Sequence, residues 1–150
     1  MVMASKLPDF SKPADLTFFS STNTGSISAV LIVPNDVGLV NTGVTQPLYA
    51  SIELTGNPIG QRITNDLGYT SSDGTKSYSE RLVSFYFKDG NMQGDLSIIS
   101  VRDVGFTSDP YVSINRIING GGDFTFSQGY VIRLYYPIEE IYQFSVYFTN

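Results

Sequence analysis

Apolar residues recur at every second position along most of this chain, in runs of six to nine, and almost nowhere at helical spacing. The last such run shows the pattern plainly: Tyr142, Phe144, Val146 and Phe148 share one face, and Gln143, Ser145, Tyr147 and Thr149 share the other. Val83, Phe85 and Phe87 alternate in the same way, as do Leu48, Ala50, Ile52 and Leu54. Strands are therefore predicted at Leu16–Ser20, Ile27–Val33, Leu48–Leu54, Arg62–Thr64, Arg81–Lys88, Leu96–Arg102, Tyr111–Ile118, Tyr130–Tyr136 and Ile141–Thr149. Turn residues separate them: Asp73-Gly74, Asp89-Gly90, Asp109-Pro110, Gly120-Gly121-Gly122 and Pro137 followed by Glu139-Glu140. This spacing predicts an all-β fold, a closed or nearly closed antiparallel barrel of about eight strands. Residues 1–45 are richer in Ser, Thr, Asn and Pro and read as an N-terminal arm with one or two edge strands, ahead of a barrel domain over 46–150.

Two strands, Ile27–Val33 and Tyr130–Tyr136, are apolar on both faces. A strand of that kind needs a second surface to cover it. A barrel without helices finds that surface most simply in another copy of itself, so a homo-oligomer, trimer or dimer, is expected.

Composition limits the chemistry. The 150 residues include no Cys and no His, which excludes disulfides, thiolate nucleophiles, imidazole proton shuttles, Ser-His-Asp triads and His-ligated metals. No metal and no cofactor is expected. The net charge of −5 argues against nucleic acid as a partner. Met1–Phe10 has no apolar core of a signal peptide, and the longest apolar run, Ala29–Val33, is far short of the ~20 residues of a membrane helix. The chain is expected to be soluble, without a membrane span.

The stretch Asn119-Gly120-Gly121-Gly122-Asp123-Phe124, followed by Gly129 and an alternating strand, resembles the signature of the allene oxide cyclase and dirigent barrels. Ser84-Phe85-Tyr86-Phe87 with Asp89, Leu96-Ser97-Ile98, and a Tyr/Phe-rich closing strand after Pro137 are similar to flanking segments of the cyclases, in the same order. The resemblance spans residues 77–150. Within the motif Asn119 replaces a Gly and Gly121 a Thr or Ser; Asn tolerates a left-handed backbone best among the other residues, which would keep the corner intact. The resemblance implies an eight-stranded barrel with Phe124 plugging one end. It further implies a hydrophobic small molecule as ligand, folded and closed into a ring inside an apolar cavity.

Candidate site residues follow from parity and residue type. Phe85, Phe87, Tyr130, Tyr142 and Phe144 would line such a cavity, and they would equally well fill a plain core. Arg116 shares a face with Val112, Ile114 and Ile118, so it is expected inside the barrel or at its mouth. There it would either anchor a ligand carboxylate or pair with an acid such as Asp95, Asp103 or Asp123. Arg102 falls on the face of Leu96 and Ile98, and Arg133 is expected at a subunit contact. Glu53 is the one carboxylate in an apolar-rich predicted strand and so the one catalytic candidate, although parity sets it with Tyr49 and Ser51 as a surface residue.

Two patterns carry no site. Asp89–Asp95 has the look of a calcium loop, but its twelfth position is Ser100 instead of Glu, and a hairpin turn accounts for it. The Gly120–Gly122 run does not open a helix and is no phosphate cradle.

Two functions fit these observations. One is a cyclase-type barrel that folds a hydrophobic unsaturated substrate and promotes ring closure by shape and water exclusion. The other is a non-catalytic structural barrel, a subunit of a virus particle or other surface assembly.

Overall fold

The computed structural model describes residues 7–22, 26–34, 38–70, 77–103 and 112–150, with side chains over 7–22, 43–65, 81–99 and 112–150. Nine strands run through them: β1 (Leu16–Ser21), β2 (Ser26–Pro34), β3 (Gly38–Leu48), β4 (Gly60–Thr70), β5 (Ser77–Asp89), β6 (Met92–Asp103), β7 (Val112–Gly122), β8 (Gly129–Tyr136) and β9 (Ile141–Phe148). They form one antiparallel sheet in the order β1-β9-β8-β7-β6-β5-β4-β3-β2. The sheet curls until β1 meets the end of β3. There Phe19 and Tyr49 exchange two backbone hydrogen bonds of 2.8 Å each. Eight strands thus make a nearly closed barrel, with β2 continuing the sheet beyond the seam.

Alternation explains most of the walls. Phe85 (β5), Leu96 (β6), Val131 (β8), Phe144 and Val146 (β9) and Phe18 (β1) all point inward and are almost wholly buried. Their rings interlock in the lower half of the barrel, the end that carries the Asp89–Met92 turn. Phe18 lies 5.0 Å from both Phe85 and Phe87 and 5.5 Å from Phe144, while Phe85 and Phe144 are 4.8 Å apart. Phe124, at the glycine-rich corner, tucks under this cluster against Phe87 at 5.4 Å and Phe148 at 6.2 Å, closing the lower end.

The corner needs its glycines for close approach. A Cβ on Gly120 would lie 2.1 Å from the Phe124 carbonyl oxygen, and Gly122 adopts φ of 60° where the chain leaves β7. Asn119, expected to supply a left-handed residue, is an ordinary strand residue in register with Ser97.

Three expectations change. The alternating segment Leu48–Leu54 is not a strand. β3 precedes it and ends at Leu48, which is fully buried. The chain then turns: Leu54 N–H bonds the Ser51 carbonyl at 3.1 Å, Leu54 takes φ of 54°, and Ile52 is exposed. The Ser51 hydroxyl accepts from the Glu53 N–H at 3.3 Å and donates to the Glu53 carboxylate, so local side-chain bonds replaced the ladder. The short strand Arg62–Thr64 is part of the eleven-residue β4.

The apolar set of β7 faces outward: Val112, Ile114 and Ile118 are 50–55% exposed, whereas Ile117 is buried. The cause is a bulge. Ser97 pairs with Asn119 but its neighbour Ile98 pairs with Ile117, so one extra residue in β7 reverses the parity between the glycine corner and the upper strand. The anticipated turns at Asp73-Gly74 and Asp109-Pro110 lie outside the described residues. Asp89 and Met92, by contrast, face each other across a two-residue hairpin turn.

Deleting the ring at the centre of the aromatic cluster leaves a cavity that eight hydrogen-bonded strands cannot collapse around. Phe18→Ala is expected to lower the unfolding free energy in urea by about 3–5 kcal/mol. Phe126→Ala, at an 87% exposed position, should change it by less than ~0.5 kcal/mol.

Candidate functional site

Above the aromatic floor the inward-facing residues change character. Ser20 (β1), Gln46 (β3), Arg62 and Thr64 (β4) are buried, and register places Ser113 and Asn115 (β7) inward as well, opposite Arg133 and Val131 of β8. Arg62 enters from β4 because Arg62, Thr64 and the buried Phe85 and Val83 share the inner face of the β4–β5 ladder. Its guanidinium crosses to the seam, where Nε donates to Ser20 Oγ at 3.3 Å and Nη2 to the Ser21 carbonyl at 3.1 Å. Nη1 donates to Thr64 Oγ1 at 3.1 Å.

Arg133 enters the same layer from β8, in register with Phe144 and Ser113. Both guanidinium groups settle on one ring: Arg62 Cζ is 5.3 Å and Arg133 Cζ 4.9 Å from the centroid of Tyr142. Tyr135 lies 5.5 Å from Tyr142, and Asn115 Nδ2 donates to Ser113 Oγ at 3.2 Å. The layer offers hydroxyls, amides, two phenol rings and two permanent cations over a hydrocarbon floor. Such a set can hold and orient a ligand; its charge comes from groups that do not exchange protons near neutrality.

The residues anticipated as a site are only partly brought together. Phe85, Phe87 and Phe144 form the packed floor, and Tyr142 rises from it into the arginine layer. Arg116 and Tyr130 face the other way. They are cross-strand partners on the outer surface, and Phe10 packs edge-on against Tyr130 at 6.5 Å and Tyr147 at 5.1 Å. The bulge that turns Ile114 outward carries Arg116 with it, so no interior anchor forms there. Arg133 moves in the opposite sense, from an expected surface contact into the barrel.

Glu53 sits exposed in the loop after β3, where the Ser51 hydroxyl holds its carboxyl below the ordinary value. It touches nothing in the interior. Asn119, Gly120, Gly121, Gly122, Phe124 and Gly129 build the lower corner and leave the arginine layer alone. Arg102 has its side chain outside the described residues. Among the described residues no three acidic side chains gather where a metal ion could sit.

Arg62 and Ser20 escaped the sequence reading. One lay at the edge of a three-residue predicted strand and the other in the Ser/Thr-rich lead. The alternation Arg62, Thr64 against Val83, Phe85 was the available signal, and it becomes visible only once β4 is paired with β5.

No family model and no curated protein matches this chain. Among solved structures, a pterocarpan synthase dirigent protein superposes with a TM-score of 0.65 over 97% of this chain and 94% of that one, at 19% sequence identity. The chain has the dirigent-type barrel fold. The likeness extends well upstream of residues 77–150, where the motifs lie.

Two outcomes follow from this geometry. Arg62→Met removes two hydrogen bonds that tie β4 to β1, and a third within β4, so amide exchange at Phe19 and Tyr49 should accelerate about tenfold or more, read by hydrogen–deuterium exchange. Ser51→Ala should raise the Glu53 pKa toward 4.5 in an NMR titration, with no change at the arginine layer.

Proposed function

We propose that this chain is a small-molecule-binding barrel that holds one hydrophobic, unsaturated substrate in its upper interior and fixes the fold in which the substrate reacts. The observation that carries this reading is the two-part interior: an interlocked aromatic floor, and above it a layer of directed polar groups around Tyr142. A filled hydrocarbon core alone would not require buried Arg62, Gln46, Ser20 and Thr64, since each costs free energy to desolvate. The likeness in fold to a pterocarpan synthase dirigent protein supports the same reading.

In this reading the walls act by positioning. The floor of Phe85 and Phe144 excludes water below the substrate, and hydroxyl, amide and guanidinium groups fix its polar end. Ring closure of the allene oxide cyclase kind then needs no proton-transferring side chain. Confining the chain ends within reach lowers the entropic part of the barrier. Shielding the reacting centre from solvent suppresses side reactions.

Copies of the chain would associate through the outer face of β7 and β8. Val112, Ile114 and Ile118 are at least half-exposed there, beside the half-buried Ile132 and Leu134 on the adjacent strand. Those side chains form the apolar surface that a second copy would cover.

The neutral dye Nile red tests the chamber. It should bind one molecule per chain with enhanced, blue-shifted emission. Ser113→Trp, which puts an indole into the inner layer, should abolish binding, and Val112→Trp on the outer face should not. Binding unaffected by Ser113→Trp would contradict an interior site. For association, light scattering should give at least twice the mass of one chain, and Ile114→Glu should reduce it to that of a monomer. A monomeric wild-type mass would contradict the shared outer face.

A further inference from the structure

The hairpin turn between β5 and β6 holds a reactive pair of residues that ligand binding does not use. We propose that Asp89-Gly90 is a self-modification site, at which the chain closes a succinimide ring and reopens it as isoaspartate.

Position comes first. Asp89 and Met92 pair across the turn, and Asp89, Gly90 and Asn91 are all exposed. The Gly90 N–H nitrogen lies 2.7 Å from Asp89 Oδ1, so the carboxyl is already folded over the amide that follows it. Turning the carboxyl plane about the Cβ–Cγ bond then faces Cγ toward that nitrogen. Gly90 has no Cβ to obstruct the approach, and apart from its adjoining residues nothing lies within 4 Å of the place a Cβ would take.

The chemistry needs no reagent beyond water. The Gly90 nitrogen bonds to Asp89 Cγ and gives up its proton, the protonated carboxyl gives up its hydroxyl, and the two leave as water. Water then adds at either carbonyl of the ring. Opening at Cγ restores aspartate. Opening at the Asp89 main-chain carbonyl leaves the chain running through the side-chain carbons, as isoaspartate, with no change in mass.

Asn119-Gly120 carries the same latent chemistry. In a free peptide an Asn-Gly pair closes the ring faster, because a carboxamide is neutral whereas a carboxylate must first be protonated. In the barrel, Asn119 is in register with Ser97, and a Cβ on Gly120 would lie 2.1 Å from the Phe124 carbonyl oxygen. The ladder and the close corner deny that pair the backbone rotation that ring closure requires. The fold therefore inverts the order set by residue type.

Isoaspartate lengthens the main chain at the end of β5. The strands are fixed on either side of the turn: Lys88 N–H bonds the Ile59 carbonyl at 2.9 Å, and Gln93 N–H the Asp123 carboxylate at 2.8 Å. The added length falls on the Asp89–Met92 pair, and Met92 packs against the buried core. Modification thus loosens the lower end of the barrel.

The test incubates the folded protein at neutral pH and maps its peptides by electron-transfer fragmentation, which tells isoaspartate from aspartate. Isoaspartate should accumulate at Asp89 while Asn119 stays unmodified. Gly90→Ala, in open space, should slow the accumulation several-fold. Asp89→Asn should turn it into a faster deamidation that changes the mass. In urea the order should invert, with Asn119 modified ahead of Asp89. An unmodified Asp89 in the folded protein, or Asn119 modified ahead of it there, would overturn the proposal. So would a rate at Asp89 that Gly90→Ala leaves unchanged.

Discussion

The barrel depends on how its sheet closes. Neighbouring strands from β3 round to β1 are joined by ladders of at least five residue pairs, whereas β1 and β3 are bridged by the Phe19–Tyr49 pair of backbone bonds. Two other interactions hold that seam. Inside, Phe18 projects from β1 between Phe85, Phe87 and Phe144, so the first strand is anchored in the aromatic cluster. Above it, Arg62 reaches from β4 past the end of β3 to Ser20 and the Ser21 carbonyl. If β1 leaves the seam, the aromatic floor and the arginine layer both lose a wall.

That arrangement also explains why a charge is tolerated inside. Arg62 satisfies backbone and hydroxyl groups at the seam, where β1 and β3 meet in a single bridge, and the Tyr142 ring offsets part of its desolvation. The same placement sets its guanidinium against the Tyr142 ring inside the barrel. Arg133, which comes from an unbroken ladder, reaches the same ring without serving the seam.

Much of the fold was legible in the chain because strand parity is a strong signal where one face is buried. Val83-Phe85-Phe87 and Tyr142-Phe144-Val146 point inward as their alternation demands. Parity misled where a local event intervened. One extra residue at Ile118 reverses β7, so Arg116 faces outward and Ser113 and Asn115 inward. At Ser51 and Glu53 side-chain hydrogen bonds end a pattern that continues in the sequence to Leu54. The site was less legible than the fold. Arg62, Ser20 and Arg133 stand out from ordinary surface residues only after register sets them around Tyr142, and that register comes from pairings across the whole chain.

The central claim is that a ligand enters the barrel above the aromatic floor. Isoleucine methyl NMR tests it most directly, because inward Ile98 and Ile117 adjoin outward Ile99 and Ile118 in sequence. On titration with Nile red, the methyls of Ile98 and Ile117 should shift, and those of Ile99, Ile114 and Ile118 should stay in place. Shifts confined to the outward set would contradict the account.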